Sequence, residues 1–192
     1  MPLSPSNSPR ILKHTRAITV AAYAREDGLW DLDAHITDIK TRDVQLASGL
    51  RAAGNPMHDL LLRVTINTEL TVVDAFAVSD AVPYPGHCDT IGPDYKKLVG
   101  LNLMRGFRLG LKERLTGISG CTHITELAQI LPTAAIQAFA GDVLDTHDGA
   151  SSAEQAVKPF QLDRCHALRS DGAAVAKYYP RWVTGVAKSA SS

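Results

Sequence analysis

The sequence has no excess of charge of either sign. Its 192 residues include 20 lysines and arginines and 20 aspartates and glutamates. Proteins that bind nucleic acid or an anionic membrane carry a basic surplus, because they must neutralise phosphate groups. The sequence also lacks a run of about 20 apolar residues, the length that a membrane-spanning helix needs. We therefore expect no nucleic-acid partner and no membrane partner.

The common motifs of nucleotide and hydrolase chemistry are missing as well. The sequence contains no G-x-x-x-x-G-K, G-x-G-x-x-G, G-x-S-x-G or H-E-x-x-H pattern. These spacings build, respectively, a phosphate-binding loop, a dinucleotide fold, a nucleophile elbow and a two-histidine zinc site. Their absence argues against a nucleotide-dependent enzyme, a dinucleotide dehydrogenase, an α/β-hydrolase and a zincin, and we expect no organic cofactor.

Cysteine is scarce, with only Cys88, Cys121 and Cys165. An odd number of widely spaced cysteines is a poor disulfide framework and is typical of a reducing compartment. The N-terminus has no basic region followed by an apolar region, which a secretion signal requires. We expect a cytoplasmic protein that forms a single domain over residues 1–192, with disordered ends at residues 1–10 and 188–192.

Two pairs of alternating segments predict two β-hairpins in the first half of the chain. Apolar residues alternate with polar ones from Ala17 and again from Trp30, and the Asp27-Gly28 turn signal separates the two runs. A second pair runs from Leu60 and from Leu70. We interpret residues 40–56 as a connecting loop with a short helical turn around residues 44–50. The pattern predicts an antiparallel sheet of about four strands.

Helical periodicity replaces the strand pattern after residue 93. A short helix is expected from Asp94 to Val99, and the next helix has its apolar stripe at Met104, Phe107, Leu111 and Leu115. A longer apolar face follows, which Pro132 should kink, formed by Ile124, Leu127, Ala128, Leu131, Ala135, Ala138 and Phe139. Residues 141–158 are expected to be a mobile loop. The sequence thus predicts an α+β fold, with two or three helices of the second half packed on the sheet.

Cys121 and His123 are the first candidates for chemistry, because they lie where the long helix is expected to start. The positive end of a helix favours a thiolate, so Cys121 could act as a nucleophile or an acid beside His123. In the structural alternative, Cys121 is a small buried side chain and His123 caps or packs the helix. Cys88, by contrast, sits beside His87 in a Pro-Gly turn, and we expect no function for that pair.

His58 and Asp59 form a second candidate pair at the start of a strand. A histidine beside a carboxylate can serve as a general base, and Arg63 could hold an anionic group of a substrate. Arg16, which follows His14 ahead of the first strand, could be a basic anchor or an anion site. In the structural alternative, His58 is an ordinary histidine at a strand edge. Trp30 and Tyr84 could line a pocket for a planar ligand.

A zinc site is the alternative use of the thiols and imidazoles. Cys121, His123, Cys165 and His166 make up a ligand set that suits tetrahedral zinc. Their spacing differs from the usual zinc knuckles, which makes closure by all four strained. Zinc is therefore the alternative to a protein without a cofactor.

Several stretches together resemble an uncharacterised bacterial family, domain of unknown function 2889. The matching pieces are spread over nearly the whole chain: His14-Thr15-Arg16, Asp27-Gly28-Leu29-Trp30-Asp31, Pro56-Met57-His58-Asp59 with Arg63, Gly120-Cys121-Thr122-His123, Cys165-His166-Ala167-Leu168, and Tyr179-Pro180-Arg181-Trp182. The family includes proteins of bacteria that degrade aromatic compounds. The resemblance implies small-molecule catabolism by analogy and no particular mechanism.

The leading hypothesis is a small cytoplasmic enzyme that performs acid/base chemistry on a small aromatic molecule, as a lyase or a hydrolase. His58 and Asp59 would move a proton, Cys121 and His123 would act as a second acid or nucleophile, and Arg16 or Arg63 would bind the substrate. The alternative is a non-catalytic metal- or ligand-binding protein with a Cys/His site. The expected partner is a small-molecule substrate, and a homo-oligomer is compatible with the sequence.

Overall fold

The computed structural model describes residues 3–146 and 158–185. Four long strands form one antiparallel sheet in the order β1-β2-β5-β6: β1 His14–Ala24, β2 Trp30–Lys40, β5 Pro56–Ile66 and β6 Val72–Ala81. The β1–β2 turn closes at Gly28, whose φ of +80° suits a residue without a side chain. Both predicted hairpins are therefore present, and their strands extend beyond the predicted runs.

One face of this sheet carries the hydrophobic core. Alternate residues of β2 and β5 are buried there, because successive side chains of a strand point to opposite faces. The buried residues of these strands and of β6 include Leu32, Ala34, Ile36, Leu60, Leu62, Val64, Ile66, Val72, Ala75 and Ala77. The other face carries the polar residues of the alternation together with exposed Phe76 and Val78.

The segment between β2 and β5 differs from the expectation. It contains a short hairpin of β3 (Val44–Leu46) and β4 (Gly49–Arg51) instead of a helical turn. Gly49 at its turn has a φ of +124°, which favours glycine and reverses the chain within two residues. The prediction of a helical turn around residues 44–50 was wrong, because three-residue strands are too short to show an alternation.

Helical structure begins earlier than predicted. The 3₁₀ segment Cys88–Leu98 takes the place of the short helix, and its Gly92 packs so closely on β6 that a Cβ would lie 2.4 Å from the Ala77 carbonyl oxygen. Helix α1 spans Phe107–Leu115. Its buried side includes Phe107, Leu111 and Leu115 as predicted, whereas Met104 precedes the helix and is half exposed.

Helix α2, Thr122–Phe139, packs against β1, β2 and β5. Its fully buried residues match six of the seven predicted positions: Ile124, Leu127, Ala128, Leu131, Ala135 and Phe139. Pro132 lies inside the helix. The sheet and the helices on its apolar face confirm the α+β prediction.

The chain divides into two compact units, residues 1–135 and 136–192. Within the second unit, α3 spans Ala173–Tyr178 and a 3₁₀ turn spans Pro180–Trp182. Asp163 organises its loop by accepting hydrogen bonds from Lys158 and from the backbone and side chain of Ser170. The greater part of the expected mobile loop, residues 147–157, and the expected disordered tail lie outside the described residues.

No helix within the described ranges combines the length and the apolar character that crossing a bilayer demands.

Candidate functional site

Three charged or titratable residues form a row across three neighbouring strands. Arg16 of β1 pairs with Asp38 of β2, and Asp38 pairs in turn with His58 of β5. Two residues further along each strand lies the apolar row Ile18, Ile36 and Leu60. Both rows are on the same face of the sheet, because residues two apart in a strand share a face. The core face of the sheet therefore ends in a polar row beneath helix α2.

Asp38 is the centre of this row and is only 3% exposed. Its Oδ1 lies 2.7 Å from His14 Nε2 and accepts a 2.9 Å hydrogen bond from Arg16 Nε. Its Oδ2 accepts from Arg16 Nη2 at 2.8 Å and lies 3.0 Å from His58 Nδ1. Each carboxylate oxygen thus has two partners, and Arg16 binds in the two-pronged geometry that suits a carboxylate.

Helix α2 adds two side chains to this group. His123 and Glu126 are three residues apart, so they lie on the same side of the helix. The His123 ring packs on the His58 ring with centroids 3.7 Å apart, and its Nε2 lies 3.8 Å from Asp38 Oδ2. Glu126 accepts a 2.6 Å hydrogen bond from Arg16 Nη1. We call His14, Arg16, Asp38, His58, His123 and Glu126 the aspartate cluster.

Tyr95 holds the start of α2 in place. Its hydroxyl lies 2.8 Å from both the Cys121 carbonyl oxygen and Thr125 Oγ1, and it accepts a 3.1 Å bond from the Cys121 amide. The side chain is fully buried, and burial raises the pKa of Tyr95 to about 12. The phenol is therefore neutral at pH 7 and fixes the turn that carries His123.

The electrostatics of the cluster keep Asp38 ionised. Burial favours the protonated acid, but the hydrogen bonds from Arg16, His14 and His58 outweigh it and hold the pKa of Asp38 well below its usual range. Arg16 has a raised pKa because of its hydrogen bond to Asp38 and stays charged. The cluster thus holds a fixed ion pair at neutral pH.

The two stacked histidines are biased toward the neutral form. Burial lowers the pKa of His58 against the opposing effect of Asp38, and burial, His58 and Arg16 lower the pKa of His123. Because an ionised carboxylate only accepts hydrogen bonds, His58 must donate from Nδ1 to Asp38. The lone pair of the neutral His58 ring is then on Nε2, which is the arrangement of a general base.

A cavity of about 540 Å³ lies beside the two histidines and is called the main cavity here. Its lining unites four of the predicted site residues, which come from different elements: His58, Tyr84, Cys121 and His123. Its walls also include His87 and Cys88, for which no function was expected. A smaller groove of about 210 Å³ reaches the same two histidines beside His14, Arg16 and Asp38. The pair is thus approachable from two sides.

The expected contact between His58 and Asp59 is not formed. These residues are neighbours in β5 and therefore point to opposite faces of the sheet. Asp59 instead lies 2.6 Å from His35 Nε2 on the open face. Arg63 is on that face too, where Nε and Nη2 each donate a 2.6 Å bond to Asp33. The pairing is thereby corrected: the carboxylate beside His58 belongs to Asp38 rather than Asp59. Of the two candidate arginines, Arg16 is the one on the His58 face, where it pairs with Asp38.

The remaining candidates lie elsewhere in the fold. Trp30 pairs with Ile66, at the opposite end of β2 and β5 from the Asp38–His58 pair. Cys165 and His166 belong to the second unit, where both are exposed. The main cavity is therefore built without these three residues among its lining side chains.

Asp38, His58 and His123 are the group of described residues whose donor atoms could surround one metal ion, since these atoms lie within 4.8 Å of one another. The donor types suit a divalent transition metal. However, both oxygens of Asp38 already have two partners each, and the Arg16 guanidinium would face the ion. Metal binding through Asp38 would require displacement of Arg16, so the donor set fits an ion-pair network better.

The fold and the cluster together define a two-layer α+β domain with a buried Asp-His pair beside a cavity. Residues 14–137 match the family described as Protein of unknown function (DUF2889), and the chain belongs to this family. The matched residues include the whole aspartate cluster and end before Cys165 and His166. Neither the search of curated proteins nor the search of solved structures found a match.

Proposed function

We propose that the protein is an enzyme, a lyase, that carries out acid/base chemistry on a small aromatic molecule without an organic cofactor. The observation that carries this proposal is the geometry of His58. Its Nδ1 is held by buried Asp38, its Nε2 has no hydrogen-bond partner within residues 3–146 and 158–185, and the side chain lines a cavity. A base oriented by a carboxylate in this way is pre-organised for proton transfer.

The proposed reaction is the loss of a carbonyl fragment from a hydroxylated side chain. His58 removes the proton of the hydroxyl group, the O–H electrons form the C=O bond, and the adjacent C–C bond breaks. The electron pair of that bond stays on the larger product, stabilised by its conjugated aromatic group. The His58 imidazolium then returns the proton to that carbon. The step is redox-neutral, and the negative charge of Asp38 stabilises the imidazolium intermediate.

His123 has a supporting role in this scheme. Its ring packs on the His58 ring, and its own lowered pKa keeps it neutral. A neutral imidazole can share the transferred proton and can donate a hydrogen bond to the developing carbonyl oxygen. Cys121, which lines the same cavity, is the candidate for a second acid.

The main cavity suits an aromatic substrate. Its volume of about 540 Å³ lies within the range of small-molecule sites. Tyr84 offers an aromatic surface, and the apolar wall residues include Leu60, Val82, Pro83, Ile91 and Ile118. Breakdown of aromatic compounds in the cytoplasm is the corresponding physiological setting, and the three free cysteines are compatible with it.

The test is turnover of a panel of aryl compounds with hydroxylated side chains by the purified protein, with released aldehydes measured by mass spectrometry. We expect His58→Ala to lower kcat by about 100-fold or more, which is the usual contribution of a general base. His35→Ala is the matched control, because its imidazole pairs with Asp59 on the other face. Full turnover by His58→Ala would overturn the assignment.

The second candidate is a non-catalytic metal-binding protein. It is favoured by the short separation of donor atoms in Asp38, His58 and His123, and it requires Arg16 to leave Asp38. Elemental analysis of protein purified without added metal tests it. A stoichiometric metal that is lost in His123→Ala and kept in His35→Ala would support metal binding, whereas metal-free protein with turnover would support the enzyme.

A further inference from the structure

A second cavity adjoins the main cavity and differs from it in charge. Its volume is about 420 Å³, and we call it the basic groove. Helix α1 contributes Arg108 and Lys112, which are four residues apart and so lie on one side of the helix. The opposite wall carries the polar side chains Thr122, Thr125 and Gln129 of α2. Acidic residues are absent from its described lining.

The two cations of the groove have no acidic partner among the described residues. Arg16, Arg25 and Arg63 each form an ion pair with an aspartate, whereas Arg108 and Lys112 form none within the described ranges. Two cations four residues apart on a helix, without an acidic partner, repel each other. A bound anion would remove this repulsion and would receive hydrogen bonds from the Thr122 hydroxyl and the Gln129 amide of the opposite wall.

The basic groove and the main cavity meet at Gly120 and Thr122, which line both. Gly120 is packed against the end of α1 so tightly that a Cβ would lie 2.3 Å from the Leu115 carbonyl oxygen. A side chain is therefore excluded at Gly120. Gly120 and Thr122 form a rim that the two spaces share, and a ligand that crosses this rim contacts both.

We infer that the basic groove binds an anionic group, a carboxylate or a phosphate, of the molecule whose aromatic part lies in the main cavity. The substrate class is then an aromatic organic anion rather than a neutral aromatic compound. This inference rests on the proposed function for what happens beside His58, but the binding of the anion can be measured without turnover. Arg108 and Lys112 provide the charge, and the side chains of Thr122 and Gln129 orient the anion.

The experiment measures binding of three probes to the full chain by calorimetry and by amide NMR shifts. The probes are 4-hydroxycinnamate, its neutral methyl ester, and phenyl phosphate. We expect an anion to bind at least about tenfold more tightly than the ester, because only the anion accepts charge-assisted hydrogen bonds from Arg108 and Lys112. The shifts should include the amides of Gly117, Gly120 and Thr122. The tighter of the two anions identifies the natural group.

Arg108→Gln/Lys112→Gln should lower the affinity for the anion at least about tenfold and leave the affinity for the ester unchanged. Arg42→Gln/Arg105→Gln is the matched control, because it removes the same charge from exposed residues outside the lining of the groove. The affinity of the parent protein should also fall with added salt, since the groove is open to solvent. Both double variants replace exposed residues, so both should fold, which circular dichroism verifies.

Equal affinity for acid and ester, absence of binding by both anions, or an undiminished affinity of Arg108→Gln/Lys112→Gln would each overturn the inference. His58→Ala separates this inference from the proposed function. If the variant binds the anion but does not turn over substrate, both are supported. If anion binding depends on the groove while neither protein shows turnover, the groove is supported and the lyase is not.

Discussion

Asp38 and His58 lie directly opposite each other on β2 and β5, with Asp38 Oδ2 3.0 Å from His58 Nδ1. The register of the sheet, rather than a flexible loop, sets this contact. The ladder shifts by one residue immediately beyond the pair, where Ile39 faces Pro56. Such bulges occur often next to functional sites, because they redirect the chain without disturbing the preceding pairs.

The first prediction concerns the contribution of Asp38 to the free energy of unfolding. Asp38→Ala removes the partner of Arg16, His14 and His58 and leaves a guanidinium without its buried counter-charge. We expect a loss of about 3 kcal/mol in the free energy of unfolding, as is usual when one partner of a buried pair is removed. Urea denaturation measures it.

Asp59→Ala is the control for that change. Its ion pair with His35 lies on the open face, where such pairs contribute about 0–1 kcal/mol. Equal losses in both variants would show that the aspartate cluster does not hold the sheet and α2 together.

The second prediction concerns stability against pH. The pKa values of His58 and His123 are lower in the folded protein than their ordinary value of 6.5. Below pH 6.5 the unfolded chain therefore binds more protons than the folded chain, and stability falls as the pH is lowered. His123→Gln should reduce the slope of unfolding free energy between pH 7 and about pH 5. Ser79 lines the same cavity but does not titrate in this range, so the control variant Ser79→Ala should keep the slope of the parent protein.

The third prediction concerns the influence of Arg16 on the histidines. The positive charge of Arg16 lowers the pKa of both His58 and His123. Arg16→Gln should therefore raise both pKa values, which NMR titration of the imidazole Cε1 protons measures. Arg25→Gln, in the β1–β2 turn, is the control and should leave both midpoints in place. Unchanged midpoints in Arg16→Gln would contradict the electrostatic description of the cluster.

The fourth prediction concerns the anchor of helix α2. Tyr95→Phe removes the hydroxyl that bonds Cys121 and Thr125 and leaves buried polar groups without this partner. We expect a loss of about 1–3 kcal/mol in the free energy of unfolding. Tyr23→Phe changes a largely exposed tyrosine and should stay within about 0.5 kcal/mol of the parent protein. Calorimetric melting of the two variants compares them.

The sequence was sufficient to predict the sheet and α2, because long alternating runs and a long apolar stripe leave few alternatives. It was insufficient for the pairing of His58. The adjacent residues His58 and Asp59 suggest a catalytic pair in the sequence. In a strand, however, successive side chains point to opposite faces of the sheet, so the two cannot contact each other. The true partner, Asp38, is distant in the chain, and only the register between β2 and β5 brings it near.

A signal for Asp38 was nevertheless present. It continues the inward series of Leu32, Ala34 and Ile36 by one further step of two, so it is a charged residue at a position of the buried face. A charge at such a position requires a partner, and inward-facing Arg16 supplies it. His87 and Cys88 gave no comparable signal, because their place in the cavity wall depends on how the 3₁₀ segment folds back on the sheet.

The row of Arg16, Asp38 and His58 is fixed by strands, whereas much of the main cavity is walled by residues 82–91 and 118–122, which lie outside the strands. Substitutions or insertions in these two segments can reshape the cavity while Arg16, Asp38 and His58 keep their spacing. The architecture is thus modular: the shape of the cavity can vary through short surface segments on a constant scaffold.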